Sequence, residues 1–299
     1  MRAPHLKRRS FRMPANAQKK PIMQDTTFYL LYILFVTTLG PFQFGYHLVH
    51  SHLGSMCNAN PSQAELNAPQ AVITCEKEKI RSGKTEQSHS SLPQCIPMTV
   101  DQFAIVTSIF TLGGLIGAVF AGPFCSKHGR LRAMRLMTLP FVAGAAAECL
   151  APNISLLAFA RFLSGLGAGA AIVVVPIYIS ETAPPDQRAL FGAFTQIMTN
   201  LGILVTQTLG LFFSRGRLWR VILAVPGAIS IFLLIALSLV PESPRWLAEH
   251  GQTQKAREVL HKIRGRHFDS EEMRSWDIRG QDSCMLFTIT NGYTTNCYS

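Results

Sequence analysis

The amino-acid sequence predicts an all-α membrane protein with six transmembrane helices. Three observations lead there. Hydrophobic residues fill 48% of the 299 positions and charged ones only 15%, against about a quarter charged in a typical soluble domain. Six long apolar runs follow one another, at approximately 28–47, 102–124, 134–152, 156–179, 190–213 and 218–240. The charges collect in the tails and in the short connections between those runs.

In chain order, residues 1–27 form a basic, polar N-terminal tail. It stays polar too long before its first apolar run to be a secretory signal, and Pro4, Pro14 and Pro21 oppose the amphipathic helix of a mitochondrial presequence. Residues 28–244 form the six-helix bundle, interrupted by a long polar loop at 48–100 that carries Cys57, Cys75 and Cys95. Whether Cys75 and Cys95 pair depends on the redox state of the compartment the loop faces. The fourth run has no charged residue across the 19 positions from Phe162 to Ser180, close to the ~30 Å of a bilayer core at ~1.5 Å per residue. Its Gly165, Gly167 and Gly169 thin the helix so that a neighbouring backbone can approach. The sequon at Asn153 sits in a connection too short to leave the bilayer surface. Residues 245–275 read as a cytoplasmic helical segment, amphipathic over 245–264 and broken at Gly251, and 276–299 as an irregular tail.

Orientation follows from Lys and Arg. Twenty fall on the side of the N-terminus and seven on the other, with Arg161 at a membrane edge. The positive-inside rule therefore places both termini in the cytoplasm. The net charge of +11 is distributed this way, which argues against nucleic acid as a partner and for a lipid bilayer. GLGAGA at 165–170 lacks the strand that a dinucleotide fingerprint requires. No Cys/His spacing suits zinc, no nucleophile–base pair appears, and no P-x-[DE]-x-x-[KR] repeat marks a mitochondrial carrier. Neither an enzyme nor a cofactor is implied.

Several motifs, taken together, resemble the sugar porter family of the major facilitator superfamily, with a fungal cast. They are FQFGY at 42–46, LNAPQ at 66–70, GPFCSKHGR at 122–130, RFLSGLGAG at 161–169 with PIYISE at 176–181, and PESPRWL at 241–247. The resemblance implies the N-terminal six-helix half of a major facilitator fold, moving a hexose-like monosaccharide by alternating access. It implies a gating charge network of Arg130, Glu181, Arg188, Glu242 and Arg245 at the cytoplasmic helix ends. It also implies substrate contact at Gln196, with Gln207, Asn200, Gln43 and Tyr46 as further candidates. Gln suits a sugar because its amide both donates to and accepts from hydroxyls. The plasma membrane and the vacuolar membrane are both open as locations.

The departures matter equally. His47 stands where proton-coupled members carry Asp, a possible coupling position whose change points to facilitated diffusion. Ser126 and Leu131 weaken the 122–130 charge motif. The 48–64 stretch and the 276–299 tail interrupt or follow family sequence, and are expected to be retained intron or gene-model error. The remaining chain is expected to be one half of a transporter, to be joined by a second six-helix half. Its alternative is a truncated, non-transporting fragment that binds or regulates a full-length relative.

Overall fold

The computed structural model describes residues 27–48, 96, 100–213 and 219–264. Among them are eight α-helices and no strand: α1 (Phe28–Leu48), α2 (Val100–His128), α3 (Arg130–Leu150), α4 (Ile154–Thr182), α5 (Arg188–Phe213), α6 (Trp219–Ala236), α7 (Pro244–Glu249) and α8 (Thr253–Arg264). Residues 1–26 of the basic tail, the 48–64 stretch beyond Leu48, the loop cysteines and the 276–299 segment lie outside the described residues.

Five helices, α1 to α5, are long and apolar enough to cross a membrane. The sixth apolar run differs from expectation in form. Its helix α6 has 18 residues, about 27 Å at 1.5 Å per residue. The rest of the run continues as turns, held by Leu237 N–H to Leu233 O at 2.8 Å and Ser238 N–H to Ile235 O at 3.0 Å. Pro41, Pro123, Pro140, Pro176 and Pro226 all lie inside helices, a usage tolerated where neighbouring helices make good the lost backbone bond.

The third helix also starts earlier than its apolar run, at Arg130 rather than near 134. The basic 125–135 connection is therefore helical, with Gly129 (φ 97°) as its break. A Cβ there would collide with the carboxylate of Glu242. That carboxylate accepts from the backbone N–H of Arg130 at 2.9 Å and of Leu131 at 3.0 Å. It thereby caps the new helix at its positive end.

The fourth helix is the centre of the bundle. Gly165 and Gly169 face α2, where a Cβ would run into the carbonyl oxygens of Phe110 and Gly114. Gly167 faces α3, with the Phe141 ring 2.9 Å from the place of its Cβ. Ala160, Ala168 and Ala171 of the same helix are fully buried, and Ala171 lies against Gly40 of α1. The same device joins α1 to α5, with Gly45 against the carbonyl of Thr199 and Gly202 against that of Phe42. Without water to drive association, such close backbone packing supplies the dispersion energy that holds helices together. By contrast α2 exposes Ile105, Leu112 and Leu115, and α5 exposes Ile197, Leu201 and Leu204. These are surfaces suited to lipid or to another apolar partner.

At one end of the bundle, Ser243 caps α7 by accepting from Trp246 N–H at 3.3 Å, and Pro244 occupies the first turn. Gly251, at φ 75°, turns the chain into α8, as its position in the sequence predicts. Helix α8 buries Ala256, Leu260 and Ile263. It is tied to the bundle by Thr27 Oγ1 donating to Ile263 O at 2.6 Å and by Arg264 donating to Thr182 O, the end of α4, at 2.7 Å.

Candidate functional site

Three groups of polar residues stand out against this apolar frame. The first lies along α5. Gln196, Asn200 and Gln207 recur at intervals of four and seven residues, which puts them on one face of the helix. All three are exposed, and Gln196 donates to Asn200 at 3.2 Å. Gln43 and Tyr46, expected on the same cavity, are instead fully buried. Gln43 Oε1 accepts from Ser230 Oγ at 3.0 Å, and Tyr46 donates to Ile222 O at 2.8 Å, so both point into the α1–α6 contact.

The second group joins α3, α4 and the approach to α7. Arg130 Nη2 donates to Glu181 Oε1 at 2.7 Å, and Ser243 Oγ donates to Glu181 Oε2 at 2.6 Å. Both carboxylate oxygens of Glu181 are thus used, and the pair is buried, at 10% and 6% side-chain exposure. Glu242 sits beside it but spends its charge on backbone N–H groups, including that of Ser243 at 2.9 Å. Arg188 is exposed at the start of α5. Arg245 pairs with Glu249 at 3.0 Å along the surface of α7. The five residues expected as one network therefore divide: Arg130, Glu181 and Glu242 meet, and the other two arginines do not join them.

The third group surrounds His47 and was not foreseen as a group. His47 is fully buried and stacked between Phe110 and Phe141, with ring centroids 6.0 and 5.9 Å away. Beside it on α3 is Glu148, also fully buried, with Arg161 of α4 on the carboxylate's other side. Arg161, expected at a membrane edge, is turned inward and only 4% exposed. A signal was available, because Glu148 is the one acidic residue inside any of the six apolar runs. Intramembrane carboxylates are costly and mark function more often than stability.

A bundle whose described residues are helical, with five helices of membrane-crossing length, is that of a multi-pass integral membrane protein. The chain belongs to the Sugar (and other) transporter family, whose pattern matches residues 33–279. It is 34% identical to the probable metabolite transport protein YBR241C of Saccharomyces cerevisiae over 274 residues, which is 87% of this chain and 51% of that protein. It is 32% identical to the vacuolar protein sorting-associated protein 73 of the same yeast, over 90% of this chain and 53% of that protein. The chain thus spans about half the length of these curated relatives. Its fold matches the proton:xylose symporter XylE, of the major facilitator superfamily, solved with 6-bromo-6-deoxy-D-glucose. The TM-score is 0.68 at 20% identity, over 89% of this chain and 56% of that one.

Proposed function

We propose that this chain supplies the N-terminal six-helix half of a carrier that moves a hexose-like monosaccharide across a membrane by alternating access. One observation carries the reading: the buried Arg130–Glu181–Ser243 junction ties three separate segments at one end of the bundle. Such a junction is bistable, because its ion pair is either made or broken and has no intermediate of comparable energy. Made, it closes the inner end; broken, it lets that end open to water. Nothing covalent is done to the substrate, so the protein is a transporter and not an enzyme.

The polar face of α5 is the substrate side in this reading. Three amides turned toward hydrocarbon would each cost several kcal/mol, so Gln196, Asn200 and Gln207 face an aqueous cavity and not lipid. A second six-helix half, or a full-length relative, covers the opposite wall of that cavity. Both termini lie in the cytoplasm, and the membrane is the plasma membrane or the vacuolar membrane.

The test is uptake of radiolabelled glucose and xylose in yeast lacking its own hexose carriers. The chain would be expressed alone and together with a complementary six-helix half. Saturable, stereoselective uptake in either case is expected. Its absence in both, with the protein present in the membrane, overturns the reading. Binding to a full-length relative without any flux of its own would move the chain to the regulatory alternative.

A further inference from the structure

Helices α3 and α6 lie antiparallel against each other along their length. Arg220 at the start of α6 donates to the carbonyls of Cys149 and Ala151 at the end of α3. Midway, a Cβ on Gly227 would meet the side chain of Ala145 at 3.1 Å. At the opposite end, Arg135 Nη2 donates to Leu237 O, just past the last turn of α6, at 3.0 Å. The outward face of α3 carries Arg132, Leu136 and Leu139, spaced by four and three residues and all exposed. On α6 and the turns beyond it, Phe232, Ile235 and Leu239 are exposed as well. An apolar track from two helices thus runs toward the Arg130 end of the bundle and stops at two arginines.

Arg132 and Arg135 have no ion-pair partner among the described residues. Of the carboxylates near Arg130, Glu181 is already engaged by Arg130 and Ser243, and Glu242 by backbone N–H groups. Arg135 is half-buried, its Nε has no hydrogen-bond partner, and its bond to Leu237 goes to a neutral carbonyl. A guanidinium drawn partly out of water without an anion is unfavourable, and its planar fork matches a phosphate. The height of the corner is marked from α1. Tyr32 donates to Ala236 O at 3.1 Å and Tyr29 to Leu239 O at 3.0 Å, on either side of the Arg135 contact. Tyrosines with an apolar ring and a bound hydroxyl gather at the headgroup level of a bilayer.

We propose that the α3–α6 corner binds one anionic phospholipid, with its phosphate between Arg132 and Arg135 and an acyl chain along Leu136, Leu139 and Ile235. Charge complementarity and the track together select this occupant. A soluble phosphate would leave the track uncovered, and a zwitterionic headgroup would bring its own cation to two unpaired arginines. The orientation proposed above also puts this end in the leaflet where anionic lipids concentrate.

The experiment uses the full chain, purified in detergent and equilibrated with equal amounts of phosphatidylserine and phosphatidylcholine. Native mass spectrometry then reads the lipid retained on the intact protein. One phosphatidylserine per chain is expected above the phosphatidylcholine background. The double variant Arg132→Ala, Arg135→Ala should lower its occupancy about tenfold, the size of one or two basic contacts with a headgroup. Arg257→Ala, exposed on α8, should leave it unchanged, which sets aside a general effect of charge. Because Arg135 also holds the end of α6, Arg132→Glu is the safeguard: it keeps that bond and should expel the lipid as effectively. Undiminished phosphatidylserine on Arg132→Glu overturns the site. Equal retention of the two lipids by the native chain overturns its anionic character. Displacement by soluble glycerophosphoserine at the lipid's own concentration would make it a site for a free anion and overturn the lipid. Sugar enters none of these readouts, so their failure is separate from failure of the transporter reading.

Discussion

Glu181 receives Arg130 on one oxygen at 2.7 Å and Ser243 on the other at 2.6 Å, so one carboxylate ties α3, α4 and the segment leading into α7. Removing its charge leaves the Arg130 guanidinium buried without a counter-ion. Such a loss typically costs about 3–5 kcal/mol. Glu181→Gln is therefore expected to lower the thermal midpoint of the detergent-purified chain by several degrees. Arg188→Ala, at an exposed position, should change stability by less than about 0.5 kcal/mol. Thermal unfolding followed by tryptophan fluorescence distinguishes the two. Equal effects would mean that Arg188 belongs to the junction after all.

Glu242 acts on the start of α3 through backbone N–H groups and not through an arginine side chain. Glu242→Gln keeps the shape and removes the charge. The expected loss is about 1 kcal/mol, the usual size of a charge at a helix terminus. Gly129→Ala should cost more, since the new Cβ both meets Glu242 and must adopt a positive φ. The ordering of the two midpoints checks both statements.

Close approach of α2 and α4 is tested at Gly169. A leucine there has no room beside the Gly114 carbonyl, and overpacking a tight contact costs about 1–3 kcal/mol or more. Gly169→Leu should yield little monodisperse protein in size-exclusion chromatography. Gly122→Ala on α2 meets nothing within 4 Å. It should behave as the native chain does, or slightly better, because alanine favours helix by up to about 1 kcal/mol over glycine.

Gln196 and Gln43 should separate function from stability. Gln196→Ala removes an exposed amide bonded only to Asn200 among the described contacts. It is expected to raise the apparent KM for sugar about tenfold, a loss of one good hydrogen bond to a substrate, at unchanged thermal midpoint. Gln43→Ala removes the buried partner of Ser230 and should lower the midpoint by about 1–3 kcal/mol equivalent. Uptake kinetics and thermal unfolding on the same preparations decide between them.

The helical membrane architecture was legible in the sequence because it follows from local composition. A run such as Phe162–Ser180 leaves helix as the one way to satisfy its backbone in lipid, and the Gly251 break and the Ser243-Pro244 start are local signals too. Family membership was legible from short motifs in order. What tertiary structure alone decided is who meets whom. The glycines of α4 announce close packing, but only the folded bundle assigns Gly165 and Gly169 to α2 and Gly167 to α3. Charged residues near helix ends announce a network, but reach and direction divide them, sending Arg245 to Glu249 and Glu242 to the backbone of α3. His47, Glu148 and Arg161 stand on three different helices, with no shared period to link them. Their meeting depends on the rotation of each helix about its own axis, which packing sets and no single segment encodes.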